Sequence, residues 1–127
     1  MSTLEAVMTT QEVANRFNEL AQTGQWGKIQ GELYADNAMS IEPAHAAATG
    51  MGNAEGIDAI RKKGETFGAM VEEMHGGYST EPVVAGNHFS VAMGMDCTMK
   101  GMGRTKMDEI CVYEVKDGKI VKEQFFF

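Results

Sequence analysis

Apolar positions along the chain follow two rhythms, one in each half. In the first half they recur every three or four residues, as on one face of a helix. Val13, Phe17 and Leu20 are spaced by four and three, with Ala14 and Ala21 beside them. Thr9 and Glu12 stand at capping-box spacing ahead of this run, and Gly24 ends it. A second helical face carries Trp26, Ile29 and Leu33, weakened by Gly27 and Gly31, with Tyr34 at its end. NAMSIEP (37–43) reads as a short strand and AHAAATGMG (44–52) as a loop of small residues. Asn53 is placed to cap a third helix, with Glu55 and Asp58 in its first turn, where negative charge suits the helix dipole. Ile57, Ile60, Gly64, Phe67 and Val71 make the inner face of that helix.

From about residue 72 the period becomes two, the signature of strands with one buried face. AGNH (85–88) and KDGK (116–119) have the chemistry of two-residue hairpin turns, and a third turn falls in KGMG (100–103). The second half is therefore an antiparallel meander of strands. Turn positions set the register. Around Asp117-Gly118, Val112 is expected opposite Glu123, Ile110 opposite Phe125 and Asp108 opposite Phe127. Around Gly86-Asn87, Val84 falls opposite Phe89 and Tyr78 opposite Met95. A two-residue middle turn sets Met95 against Asp108 and Met93 against Ile110. One face then gathers Tyr78, Phe89, Met93, Met95, Ile110, Val112, Phe125 and Phe127, and must cover the helices. Phe126 and Cys111 point the other way, so the opposite face needs a second layer, most simply another copy of the chain.

Composition narrows the function classes. The chain has 127 residues, one domain's worth, with 43% apolar and 23% charged residues. A net charge of −7 and no basic run argue against nucleic acid and against anionic membranes. MSTLEAVMTT has neither the basic start nor the apolar run of a secretory signal, and no window has the length of a membrane span. A cytoplasmic location is expected. Cys97 and Cys111 sit in apolar runs as two small buried thiols, and no metal-ligand spacing surrounds them. Eleven methionines fill core gaps or line an adaptable binding surface.

Helix, helix, strand, loop, helix and a curled meander is an order of elements that resembles the nuclear transport factor 2-like superfamily. The ketosteroid isomerase-like and SnoaL-like polyketide cyclase families belong to it. The stretches that carry the resemblance are RFNELAQTGQWGKIQGELYADNA (16–38), Glu42-Pro43, GMGNAEGIDAIRK (50–62) and DGKIVKEQFFF (117–127). It spans nearly all of 1–127 as a single domain. It implies an α+β fold: a cone-shaped, curved antiparallel sheet of about four to six strands wrapped around three N-terminal helices, with an internal pocket. The resemblance also sets Glu42, just before Pro43, where ketosteroid isomerases hold their catalytic aspartate. It sets Phe17 where they hold an oxyanion-hole tyrosine, and Ile110 or Val112 where they hold a protonated aspartate. Without those donors, steroid isomerisation by that route is not expected.

The candidate acid–base set is Glu42, which the resemblance supplies, with Asp108 and Glu123, charges that an apolar inward face rarely carries without a partner or a purpose. Phe17, Tyr34, Met93, Met95, Val112, Phe125 and Phe127 are the candidate ligand wall. His75, Asp96 and Glu109 form a second polar cluster on the opposite face, a general-base pair or a bridge at a dimer seam. The same carboxylates read equally as hydrated groups at a wet cone mouth. The expectation is a small apolar or aromatic metabolite in the pocket, with no metal or cofactor, handled by acid–base chemistry of isomerase, cyclase or hydratase type. The alternative from another class is a non-catalytic dimeric assembly module that uses the sheet face.

Overall fold

The computed structural model describes residues 7–49 and 51–127. Helix α1 (Thr10–Gln22) begins where the sequence places it. Glu12 N–H donates to Thr9 Oγ1 at 3.1 Å, and Thr9 N–H donates to Glu12 Oε1 at 2.9 Å. Its buried face is Val13, Ala14, Phe17, Leu20 and Ala21. Helix α2 (Trp26–Leu33) buries Ile29 and Leu33 and hands over directly to β1 (Tyr34–Ile41), so Tyr34 opens a strand rather than closing a helix. A 3-10 turn (Ala44–Thr49) replaces the expected loop. The two-residue β2 (Ala54–Glu55) precedes α3 (Ile57–Met70). Gly56, at φ +84°, is the N-cap of α3. Asn53 does not cap α3; its Oδ1 accepts the Glu42 N–H at 2.8 Å and ties the two ends of the turn together.

The remaining strands are β3 (Val71–Ser79), β4 (Val83–Ala85), β5 (His88–Met99), β6 (Gly103–Lys116) and β7 (Lys119–Phe126). They join β1 and β2 in one curved, unclosed sheet of order β2-β1-β7-β6-β5-β3, with β4 paired to β5. The sheet is mixed, because β1 lies parallel to β7 and every other pair is antiparallel. The helices pack on one side of it, giving a cone-like α+β fold. The core forms where Phe17 meets Phe89, Tyr113 and Trp26, at ring-centroid distances of 5.3, 4.8 and 6.2 Å. Among the described residues no helix is long and apolar enough to cross a membrane.

Two local features correct the expected register. The middle turn holds three residues, 100–102, because Met99 pairs with Gly103, and Gly101 and Gly103 both have positive φ. That one extra residue turns β6 over. Met95 stands opposite Met107 and Met93 opposite Glu109, so Cys111, Tyr113 and Val115 face the helices while Ile110 and Val112 face away. Further on, a bulge near Val121 shifts the β6–β7 pairing after Val115–Ile120. Cys111 then opposes Phe125, Ile110 opposes Phe126, and Tyr113 opposes Glu123. On the first strand of the meander, Tyr78 pairs with Gly94, outside the core, and stays exposed.

Candidate functional site

A chain of polar groups crosses the helix-facing side of the sheet, built from β1, α3 and β7. Alternation along β1 turns Ala38 and Ser40 inward, both fully buried. Glu123 of β7 is only 5% exposed. It accepts hydrogen bonds from the Tyr34 hydroxyl and, at 2.6 Å, from Ser40 Oγ. Lys63 reaches down from α3, one turn after the buried Ile60. Its ammonium donates to Ser40 Oγ at 2.5 Å and to Glu42 Oε2 at 2.7 Å. It also lies 5.6 Å above the centre of the Phe125 ring, as a cation over an aromatic face. Tyr34, Glu123, Ser40, Lys63 and Glu42 are thus linked in sequence by hydrogen bonds.

Glu109 of β6 stands beside this chain on the same face. Burial, and then the negative charge of Glu42, push its carboxyl up to about 7, with Lys63 and a hydrogen bond to Cys111 acting against the rise. Glu123 is also held above the ordinary carboxylate range by burial, against the pull of its Ser40 and Tyr34 donors. Burial raises the Tyr34 and Tyr113 phenols, and the charge of Glu123 adds to both. The Cys111 thiol is raised by burial and by Glu109. The site therefore has a carboxyl group poised between its two forms near neutrality, and a carboxylate, Glu42, tied to a cation. That combination can give and take protons.

The structure separates the candidates named from the sequence. Glu42 and Glu123 share the polar chain. Asp108 does not join them. The three-residue turn puts it on the outer face, where it accepts from the Tyr78 hydroxyl at 2.7 Å. The same reversal takes Val112 out of the ligand wall and brings Glu109 in from the expected outer cluster. What remains outside is His75, hydrogen-bonded to Thr98 Oγ1 at 2.7 Å, and Asp96, which accepts from Arg104 Nε and Nη2 at 3.0 and 2.9 Å. Those Arg104 bonds hold the Asp96 carboxyl below its usual range. Phe17 and Tyr34 are fully packed, whereas Met93, Met95 and Phe125 are half-buried along the inner face. Phe127 is exposed, its ring 5.1 Å from His45 of the 3-10 turn.

Four contributors escaped the sequence reading: Lys63, Ser40, Cys111 and Tyr113. Lys63 leaves a visible mark, a lysine three residues after Ile60 and four before Phe67 on the apolar stripe of α3. Two shallow cavities flank β2. One of about 370 Å³ is bounded by the 52–55 segment and by Ala59, Lys62, Lys63 and Thr66 of α3. The other, of about 310 Å³, lies against Met39 and Ile41. Among the described residues no three His, Cys, Asp or Glu side chains group as metal ligands.

Residues 8–127 match the family model described as SnoaL-like domain. A Mesorhizobium loti protein of solved structure is 33% identical, with a TM-score of 0.84 over 94% of this chain and 100% of its own. It is described as a SnoaL-like polyketide cyclase, with carbohydrate phosphatase as a second label. A Catenulispora acidiphila protein of ketosteroid isomerase-like fold, solved with trimethylamine, is 21% identical with a TM-score of 0.68 over 94% of this chain and 87% of its own. A Burkholderia pseudomallei NTF2-like protein is 15% identical with a TM-score of 0.75, over 93% and 89% of the two chains. The last two are likenesses of fold. No curated protein matches the sequence.

Proposed function

The chain belongs to the SnoaL-like domain family, and on that premise we propose that it binds a small apolar or aromatic molecule and moves a proton on it with its own carboxyl groups. The observation that carries this reading is the meeting of Glu42, Glu109, Glu123 and Lys63 on a wall otherwise made of Met93, Met95 and Phe125. Burial pushes the Glu109 carboxyl up to about 7, so it holds a proton near neutral pH, which is what a general acid needs. In this reading Glu42, steadied by Lys63, takes a proton from a carbon next to a carbonyl. Glu109 in its neutral form donates to the carbonyl oxygen, and Glu123 keeps the chain of hydroxyl groups aligned. Ring closure of aldol type begins with such a step, and polyketide cyclase is the label of the Mesorhizobium loti relative. No cofactor is called for, and the reading places the protein in the cytoplasm.

The experiment incubates the protein with a panel of flat aromatic ketones in D2O and follows exchange of the α-hydrogens by NMR. The expected result is exchange above the buffer rate for at least one ketone, lost in Glu42→Gln and reduced in Glu109→Gln. Binding, seen as a raised melting temperature, without exchange in any ketone would reduce the function to a binding site.

A second reading, a dimeric module acting through the outer face of the sheet, is favoured by one observation. Ile110 and Phe126 face each other there with 48% and 49% of their surface exposed. A homodimer through this face is compatible with the first reading and is proposed with it.

A further inference from the structure

The sheet ends at β2, which pairs with β1 and, among the described residues, with no other strand. Gly56 N–H donates to the Ala38 carbonyl at 2.8 Å, one position beyond the Met39–Glu55 pair. Along an antiparallel ladder the bonding direction alternates from residue to residue. The backbone of Ala54 and Gly56 therefore faces β1, and the N–H and carbonyl of Glu55 face the open edge. No described residue bonds to them there. This edge has a cavity on each side. Ala54 pairs with the inward Ser40, and on that side the 370 Å³ cavity lies against Ala59, Lys62 and Thr66 of α3. Glu55 pairs with the outward Met39, and on that side the 310 Å³ cavity lies against Met39 and Ile41. The two sides differ in charge. Lys62, on the α3 side, enters no ion pair among the described residues. Asn53 borders the same cavity, and its Oδ1 is taken by the Glu42 N–H, which leaves its amide N–H groups to donate. The other side offers the apolar Met39 and Ile41 with the Glu55 carboxylate at the rim.

We propose that the β2 edge docks an extended segment of another protein as one more strand, with an acidic side chain on the Lys62 side and an adjacent long basic side chain on the Met39 side. An added strand is held by backbone hydrogen bonds, while its successive side chains fall on opposite faces of the sheet. Two neighbouring residues of the segment must therefore enter the two different cavities. A carboxylate in the first meets Lys62 and the Asn53 amide. A lysine or arginine in the second lays its methylene stem on Met39 and Ile41 and brings its charge to Glu55. Because β2 has only two residues, the backbone contributes little beyond the two bonds of Glu55, and the side-chain pair sets the selectivity. Glu55 and Lys62 stand outside the acid–base chain, so this inference and the proposed function can fail separately.

The test measures fluorescence anisotropy of the whole chain with labelled hexapeptides Thr-Val-X-Z-Val-Thr, X and Z running through all pairs. Peptides with Arg or Lys next to Asp or Glu should bind at least tenfold more tightly than the Ala-Ala peptide. For the best of them, Lys62→Glu should weaken binding at least tenfold, and replacing the acidic residue of the peptide by lysine should restore it to that variant. N-methylation separates an added strand from attraction between surface charges. A methyl group on one of the two central peptide nitrogens should abolish binding, because that N–H donates to the Glu55 carbonyl. A methyl group on the other, whose N–H points away from the sheet, should leave it within twofold. If no X–Z pair exceeds Ala-Ala, or both methylated peptides bind like the parent peptide, the edge is not a docking strand and the proposal is overturned.

Discussion

The Lys63 ammonium is shared between Ser40 Oγ and Glu42 Oε2, with the two charged side chains only 11% and 9% exposed. An ion pair this far from water is expensive to break, because the surviving charge has neither partner nor solvent. Lys63→Met should therefore cost about 3–5 kcal/mol in urea unfolding. Adding Glu42→Leu in the same chain should recover most of it, since two apolar groups replace two charges. A loss under about 1 kcal/mol for the single variant would mean a pair as weakly coupled as those on protein surfaces.

Glu109 makes stability depend on pH in a stated direction. Its carboxyl titrates at about 7 in the folded chain, against an ordinary value of 4.5. Between those values the folded state holds a proton that the unfolded chain has released, so stability falls as pH rises through that window. Below the ordinary value both states are protonated and the contribution is fully present. Above about 7 it is lost. Glu123, also raised, adds to the same slope. Urea midpoints measured from pH 4.5 to 8 should decline, and Glu109→Gln should flatten the curve most strongly between pH 5 and 7. A parallel curve for the variant would place Glu109 in water.

How much of this was legible can be judged on β6. The helices and the hairpin turns at Gly86-Asn87 and Asp117-Gly118 follow from spacing and turn chemistry. The facing of β6 does not. Ile110 and Val112 alternate with Cys111, Tyr113 and Val115, so either set makes an apolar face and the hydrophobic pattern is silent on the choice. The choice was made by a glycine-rich turn one residue longer than the shortest type, because Gly101 and Gly103 accept the positive φ it needs. Phe125 kept its direction because the bulge near Val121 reversed the face a second time. Asp108 and Val112 left the site with that strand, and Glu109 entered it. Glu42 and Glu123 were visible as charges in apolar surroundings, but their link through Ser40 and Lys63 depends on β1 lying parallel to β7, and no local signal encodes a parallel pairing between strands so distant in sequence.

Gly94 holds the outer face flat beneath a cross-strand hydrogen bond. The Tyr78 ring lies over it on the way to Asp108, and a Cβ at Gly94 would come within 2.0 Å of Tyr78 Cε2 and 2.8 Å of Asp108 Oδ1. Gly94→Ala should push the ring aside and lose that hydrogen bond, costing about 0.5–1.5 kcal/mol. In a Tyr78→Ala background the sign should reverse, because alanine is better than glycine in a strand interior by about 0.5–1 kcal/mol. Four urea curves complete the cycle. Equal effects of Gly94→Ala in both backgrounds would show that the ring does not rest there in solution.

Phe126 tests the proposed homodimer without touching the inner face. It pairs with Ile110 on the side of the sheet that has no helices, and Val112 and Met39 share that side. An apolar group of this kind buried against a second copy contributes stability only in the dimer. A carboxylate in its place would be desolvated at the seam with no partner. Phe126→Asp should therefore shift the mass seen by light scattering from two chains to one at tens of micromolar. Its α-hydrogen exchange on aromatic ketones, set by Glu42 and Glu109 across the sheet, should persist. A parent protein that already runs as one chain at that concentration would remove the dimer from the account. Loss of exchange together with the dimer would instead join the two faces in one function, with the second copy needed to hold β6 and β7 in the curvature that brings Glu109 to Lys63.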